Sequence, residues 1–155
     1  MIETPIQDLY ENDYSHCYGC GRLNEQGLRI KTRWDGKESV AEFLPKPFHT
    51  AVPGYVYGGL IASLVDCHGT ATAAAAATEA AGIELSGGSP LRFVTASLHV
   101  DYLRPTPIGV PLTLRGTVRE MQGRRVTVDV SLSAGGEEKA RGTVVAARMP
   151  ERMKQ

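Results

Sequence analysis

Asp66 sits where an aspartate is hard to explain. It follows Leu60, Ile61, Leu64 and Val65 in the proline-free stretch GLIASLVDCHGTATAAAAATEAA, which is dominated by Ala and Leu, the strongest helix formers. The short Asp side chain competes for the backbone in mid-helix, and a carboxylate in an apolar setting is costly unless it is hydrogen-bonded, paired or protonated. One reading is a carboxylate with a raised pKa that does acid–base or nucleophilic work, since such groups concentrate in active sites. The other is a carboxylate facing a solvated gap or capping a loop. Just upstream, Gly58-Gly59 opens the helix, where free N–H groups and the positive end of the helix dipole suit an oxyanion. Glycines at such a junction also serve backbone shape alone. Gly58 and Asp66 are eight residues apart, or ~12 Å along a helix. One carbonyl group cannot touch both, so a shared site predicts a two-fold dimer in which the Asp66 of one chain meets the Gly58 of the other.

Other chemistries find less support. The sequence contains no G-x-S-x-G and no phosphate-binding G-x-x-x-x-G-K-[ST]. Gly19-Cys20-Gly21-Arg22-Leu23-Asn24 begins like a dinucleotide fingerprint but ends in Asn and follows no strand. His16, Cys17 and Cys20 form a fragment of a zinc site, yet there is no second C-x-x-C to complete four ligands. The expectation is a turn packed over the core, with no metal and no separate cofactor. Cys67 and His68 point about 100° apart on a helix and read as a buried thiol and a satisfied core imidazole.

The elements that must hold these residues follow from periodicity. Residues 28–34 and 39–44 read as a strand pair about the turn Asp35-Gly36, after an irregular segment over 1–27. Prolines 45, 47 and 53 stiffen a loop that carries His49 towards Gly58. The single long helix spans about 60–81 and, with apolar residues on almost every face of its first half, should be buried all round. Val94, Ala96, Leu98, Val100 and Tyr102 then alternate with polar residues as in a half-buried strand. Leu112, Leu114 and Val118 continue the pattern, and Val126 to Leu132 and residues 139–148 supply two more strands after turns at Gly123 and Gly135-Gly136. Strands joined by short turns are antiparallel. The fold class is α+β, a single domain over 1–155 in which a curved antiparallel sheet of about six strands wraps one central helix.

Composition narrows the partners. Basic and acidic side chains number 17 each, so no net field favours a nucleic acid, and no apolar run approaches the ~18 residues of a membrane span. The balance is uneven along the chain: residues 1–90 carry six basic and eleven acidic groups, and residues 91–155 the reverse. The second half therefore offers Arg104, Arg115, Arg119, Arg124 and Arg125 to an anionic ligand, or simply solvates a sheet face with them. Three cysteines and an acidic N-terminus without an apolar stretch fit a cytoplasmic protein.

Taken together, these residues resemble the hotdog-fold acyl-CoA thioesterases of the PaaI type. Their pattern, a His-Gly-Gly or similar helix start with Asp seven residues after the second Gly, is matched by Tyr57-Gly58-Gly59 and Asp66. Thr95 to Pro105, the loop from His49 to Gly58, and Cys17-Tyr-Gly-Cys20-Gly with Asn24 and Gly27-Leu28 extend the likeness. The sequence departs from the pattern at Tyr57, usually His, and at Ala51, Asn in some members. The resemblance implies hydrolysis of a small or medium acyl-CoA or aryl-CoA, with coenzyme A entering as part of the substrate. By it Asp66 is the catalytic carboxylate, Gly58 the oxyanion-hole amide and Thr95 the hydroxyl that positions water. His49, Tyr57 and Gly59 lie near the thioester, and Arg104, Arg124 and Arg125 are candidates for the CoA phosphates. Asp66 either activates water or attacks directly. The resemblance also implies a homodimer with shared sites, or a dimer of dimers. Two further readings are a non-catalytic acyl-CoA-binding hotdog protein and a hydratase or dehydratase using His49 with Asp66.

Overall fold

The computed structural model describes residues 3–154; Met1, Ile2 and Gln155, part of the expected 1–155 domain, lie outside them. The chain forms β1 (Arg33–Trp34), β2 (Glu38–Phe43), α1 (Gly58–Ala80), β3 (Phe93–Tyr102), β4 (Leu112–Gln122), β5 (Arg125–Ala134) and β6 (Glu137–Arg148), with short 3-10 turns at Ile6–Leu9, Asn12–Tyr14, Leu85–Gly87 and Glu151–Met153. The six strands make one antiparallel sheet in the order β1-β2-β4-β5-β6-β3. α1 packs against β3, β4, β5 and β6. Strict alternation on β5 sends Val126, Val128, Val130 and Leu132 inward, each burial being worth roughly 1.5–3 kcal/mol. Two glycines let helix and sheet approach closely: a Cβ on Gly69 would collide with Val144, and one on Gly142 would collide with Val65 and the His99 carbonyl.

Four expectations need correction. By length and composition α1 is apolar enough to cross a membrane, although no single run suggested it; it is instead largely buried inside the fold. The helix is also not covered all round. Its second half is almost wholly buried, but Gly58, Gly59, Ala62, Ser63 and Asp66 are only half-buried, and their spacing of three, four and seven residues places them on one stripe.

The third correction concerns the expected strand at 28–34, which shrinks to Arg33–Trp34. Arg29 adopts a left-handed φ of 56°, which breaks an extended run. Leu28 and Ile30 instead donate backbone hydrogen bonds to the carbonyls of Tyr18 and Gly19, and Ile6 donates to Thr32. These bonds fasten the otherwise irregular N-terminal segment to the rest of the chain. Finally, β3 is not half-buried along its length: Phe93 is buried and Val94 and Val100 are partly so, but the other positions are exposed. The alternation is real, yet β3 is an edge strand paired only with β6 and interrupted by a bulge between Thr95 and Ser97, so little lies on its outer side.

Candidate functional site

The half-buried stripe on α1 runs from Gly58 to Asp66, flanked by the fully packed Leu60, Ile61, Leu64 and Val65. Small side chains at Gly59, Ala62 and Ser63 keep it shallow. At its far end the Thr95 hydroxyl, from β3, donates to Asp66 Oδ1 at 2.5 Å. Partial burial pushes the Asp66 carboxyl above its usual range, and nearby Cys17 adds to this; the Thr95 hydrogen bond works the other way by favouring the charged form. The carboxylate is thus oriented and made more basic without being neutralised by a cationic partner.

At the near end, the loop of prolines delivers Tyr57 to the N-cap of α1. Tyr57 N–H donates to the His49 carbonyl at 2.9 Å and Val56 N–H to that of Thr106 at 2.8 Å. The Tyr57 side chain makes no capping hydrogen bond; the Leu60 and Ile61 amides donate to the Tyr57 carbonyl, which leaves those of Gly58 and Gly59 available to an incoming oxygen. The Tyr57 ring lies against Gly59, where any Cβ would collide with it, whereas a Cβ on Gly58 would meet only the Tyr102 ring at ordinary contact. The Tyr102 hydroxyl donates to the Gly58 carbonyl at 2.7 Å. Alternation along β3 marks Tyr102 only as an apolar strand position; its place at the end of the strand, beside Leu103-Arg104-Pro105, is the signal in the sequence for this contact.

The remaining expected residues separate into three places. His49, Tyr57 and Gly59 line a cleft of about 170 Å³ with Tyr18, Phe48 and Ser63. The His49 ring packs edge-on against Phe48 and its Nδ1 accepts from Lys46 N–H; burial and Lys46 hold its pKa below the usual value. Asp66 is not among the residues lining that cleft. Arg104 lines a second groove with Gly58, Tyr55 and Tyr102. Arg124 and Arg125 are exposed at the β4–β5 hairpin. The register Arg125–Ala147–Val94 puts them at the Thr95 end of the sheet, away from Arg104. Arg115 and Arg119 face Glu38 and Asp129 on the solvated sheet face, a structural use of the charge excess in the second half.

Behind the stripe, His68 is fully buried and hydrogen-bonded through Nδ1 to Thr32 and through Nε2 to Ser39, both at 2.9 Å. Burial depresses its pKa to about 3, so it is a neutral core imidazole, as expected. Cys67 is likewise buried, but it faces Cys17 and Cys20, and the three Sγ atoms lie within 4.8 Å of one another. Those thiols are the group of potential metal ligands that the fold assembles among the described residues.

One helix laid into a six-stranded antiparallel sheet, with an acid on the helix and amides at its start, is the hotdog architecture. The family model of the thioesterase superfamily matches residues 53–140. The chain belongs to the thioesterase superfamily, and the class of enzyme that goes with it is the thioester hydrolases. Over 90 residues it is 32% identical to the acyl-coenzyme A thioesterase THEM4 of Xenopus laevis, covering 58% of this chain and 35% of that protein; the chain thus spans about a third of the curated relative's length. A thioesterase superfamily protein from Shewanella loihica PV-4 is 47% identical, covers 91% of this chain and all of its own, and superposes with a TM-score of 0.69. The E. coli PaaI protein from the phenylacetic acid degradation operon shares the fold, with a TM-score of 0.62 at 21% identity over 79% of this chain and 81% of its own.

Proposed function

We propose that the chain hydrolyses the thioester of a small or medium acyl-CoA or aryl-CoA, releasing free acid and CoA. The observation that carries this reading is the half-buried Asp66 carboxylate oriented by the Thr95 hydroxyl on the same helix stripe as the open amides at Gly58. Membership of the thioesterase superfamily and the acyl-CoA thioesterase relative support it.

In this mechanism the thioester carbonyl oxygen accepts a hydrogen bond from Gly58 N–H, which polarises it and then holds the oxyanion of the tetrahedral intermediate. Asp66 takes a proton from water as the water oxygen bonds to the carbonyl carbon. Thr95, whose proton is committed to Asp66, still has lone pairs to accept from that water. Collapse of the intermediate breaks the C–S bond, and the CoA thiolate leaves and takes up the proton. The ~12 Å helix rise between Gly58 and Asp66 makes this a site of two chains, each giving one group. The open edge of β3, with Leu98 and Tyr102 exposed, suits such a homodimer. Acyl groups would enter the seam between subunits, and Arg104, which lines a groove with Gly58, is the candidate cation for a CoA phosphate there, with Arg124 and Arg125 at the opposite end.

The test is thiol release from a panel of acyl-CoAs and the matching acyl-pantetheines. Turnover with at least one acyl-CoA is expected, and Arg104→Glu should raise KM for acyl-CoA more than for acyl-pantetheine. A chain that binds acyl-CoAs but liberates no thiol from any of them overturns the assignment.

A further inference from the structure

Three sulfurs that thioester hydrolysis does not use converge one residue along from Asp66. Cys17 and Cys20 come from the turn at residues 17–21 and Cys67 from α1; the Sγ atoms all lie within 4.8 Å of each other, with Cys17 and Cys67 at 3.8 Å. Sulfurs bound tetrahedrally to zinc at about 2.3 Å stand about 3.8 Å apart. The turn is shaped for this approach. Gly21 N–H donates to the Cys17 carbonyl at 2.7 Å. A Cβ on Gly19 would collide with Cys67 Sγ, and one on Gly21 with the Ser15 carbonyl and Cys17 N, so the knuckle needs both glycines to bring its sulfurs to the helix.

A second, independent observation points the same way. The Tyr10 hydroxyl is buried and has no hydrogen-bond partner among the described residues. It lies within electrostatic reach of Cys17, Cys20 and Cys67. The Arg92 guanidinium stacks 4.5 Å over the Tyr10 ring. A buried phenol without a partner is costly unless something satisfies it.

We propose that Cys17, Cys20 and Cys67 bind one zinc ion as thiolates, with a water held by the Tyr10 hydroxyl in the fourth position. Binding releases the three thiol protons to solvent and involves no change of oxidation state. The ion ties the N-terminal knuckle to α1 immediately after Asp66, so it acts as a clamp on the stripe. The inference does not depend on the hydrolase reading: the ion binds whether or not the chain turns over acyl-CoA.

The experiment uses the untagged full chain, purified under reducing conditions without chelator. Elemental analysis should find one zinc per chain. Zinc added to the metal-free chain should compete with a chromophoric chelator at submicromolar affinity, and bound zinc should protect Cys17 from alkylation. Cobalt in its place should give the sulfur-to-metal charge-transfer absorption and strong d–d bands of a tetrahedral thiolate site. Cys17→Ser and Cys20→Ser should each weaken binding at least about tenfold, while Tyr10→Phe keeps the one-to-one stoichiometry. A folded wild-type chain that binds zinc no tighter than micromolar, or one carrying a Cys17–Cys67 disulfide in place of the ion, overturns the proposal. Should a serine variant fail to fold, the wild-type stoichiometry and cobalt spectrum still decide.

Discussion

The Thr95 hydroxyl, on the exposed edge of β3, donates to the Asp66 carboxylate on α1 across 2.5 Å. The bond joins the sheet's outermost strand to the middle of its buried helix. It leaves Oδ2 of Asp66 unused by Thr95.

Asp66→Asn keeps shape and volume and removes basicity. Turnover should fall by about two orders of magnitude or more, within the range of about 10²–10⁴ for a lost acid–base group, while acyl-CoA affinity changes little. The melting temperature should hold or rise, because a partly buried charge without a cationic partner is replaced by a neutral amide. Steady-state kinetics beside a thermal melt would check this. A variant that unfolds yet keeps its turnover per folded molecule would make Asp66 structural.

Thr95→Val removes the donor with almost no change of shape. A hydrogen bond to a charged acceptor is worth about 1.5–3 kcal/mol, so kcat should drop roughly 10–100-fold if the carboxylate must be held in place. Thr95→Ser retains the hydroxyl and should recover most of the loss. A valine variant that keeps its turnover while the serine variant loses it would mean that the methyl group, not the bond, is what matters.

What sequence made legible here were local anomalies. An Asp among Leu and Val in a helix is out of place whatever surrounds it, and glycines before a helix expose amides in any fold. The turns at Gly123 and Gly135-Gly136 and the inward valines of β5 follow from short-range pattern as well. The misreadings all needed tertiary information. Residues 28–32 alternate like a strand, but Arg29 turns left-handed because its neighbours bond to the N-terminal segment rather than to a sheet. β3 alternates correctly, yet only the strand order makes it an edge. Tyr102 reaches Gly58, and Cys67 reaches Cys17 and Cys20, across separations of 44 and about 50 residues that no spacing rule spans.

The buried polar network at His68 should govern acid stability. Gln7 Nε2 donates to Thr32 Oγ1, which lies at 2.9 Å from His68 Nδ1, while Ser39 Oγ lies at 2.9 Å from Nε2 and 2.6 Å from Thr72 Oγ1. It links the N-terminal segment, α1 and β2. Ser39→Ala leaves Nε2 unsatisfied and should cost about 1–3 kcal/mol in denaturant unfolding at neutral pH. The folded pKa of His68 is about 3, against about 6.5 in the unfolded chain. Between these values the unfolded state binds the extra proton, so His68's contribution is complete above about pH 6.5 and is lost as pH falls towards 3. The slope is at most about 1.4 kcal/mol per pH unit. A flat stability profile across that window would mean that His68 is already protonated in the fold.

Gly58 offers a test of whether the site is shared between chains. It is the first helical residue, a position that accepts proline because its N–H has no partner in the helix. Tyr57 before it, at φ −59° and ψ 130°, already has the backbone that proline requires of its predecessor. Gly58→Pro should therefore fold, keep the helix and delete only the N–H, lowering kcat by about 10²–10³ as for a lost oxyanion donor. Mixing this variant with Asp66→Asn and letting subunits exchange then separates two geometries. If Gly58 of one chain serves Asp66 of the other, every mixed dimer has one site with both groups intact and one with neither. Random pairing makes half of the dimers mixed, so activity should return to about a quarter of wild type. If both groups came from the same chain, every site would lack one of them and nothing would return. A recovery near a quarter, together with a dimer or larger assembly in sedimentation equilibrium, is the expected outcome; a mixture as inactive as its parents would overturn the shared site.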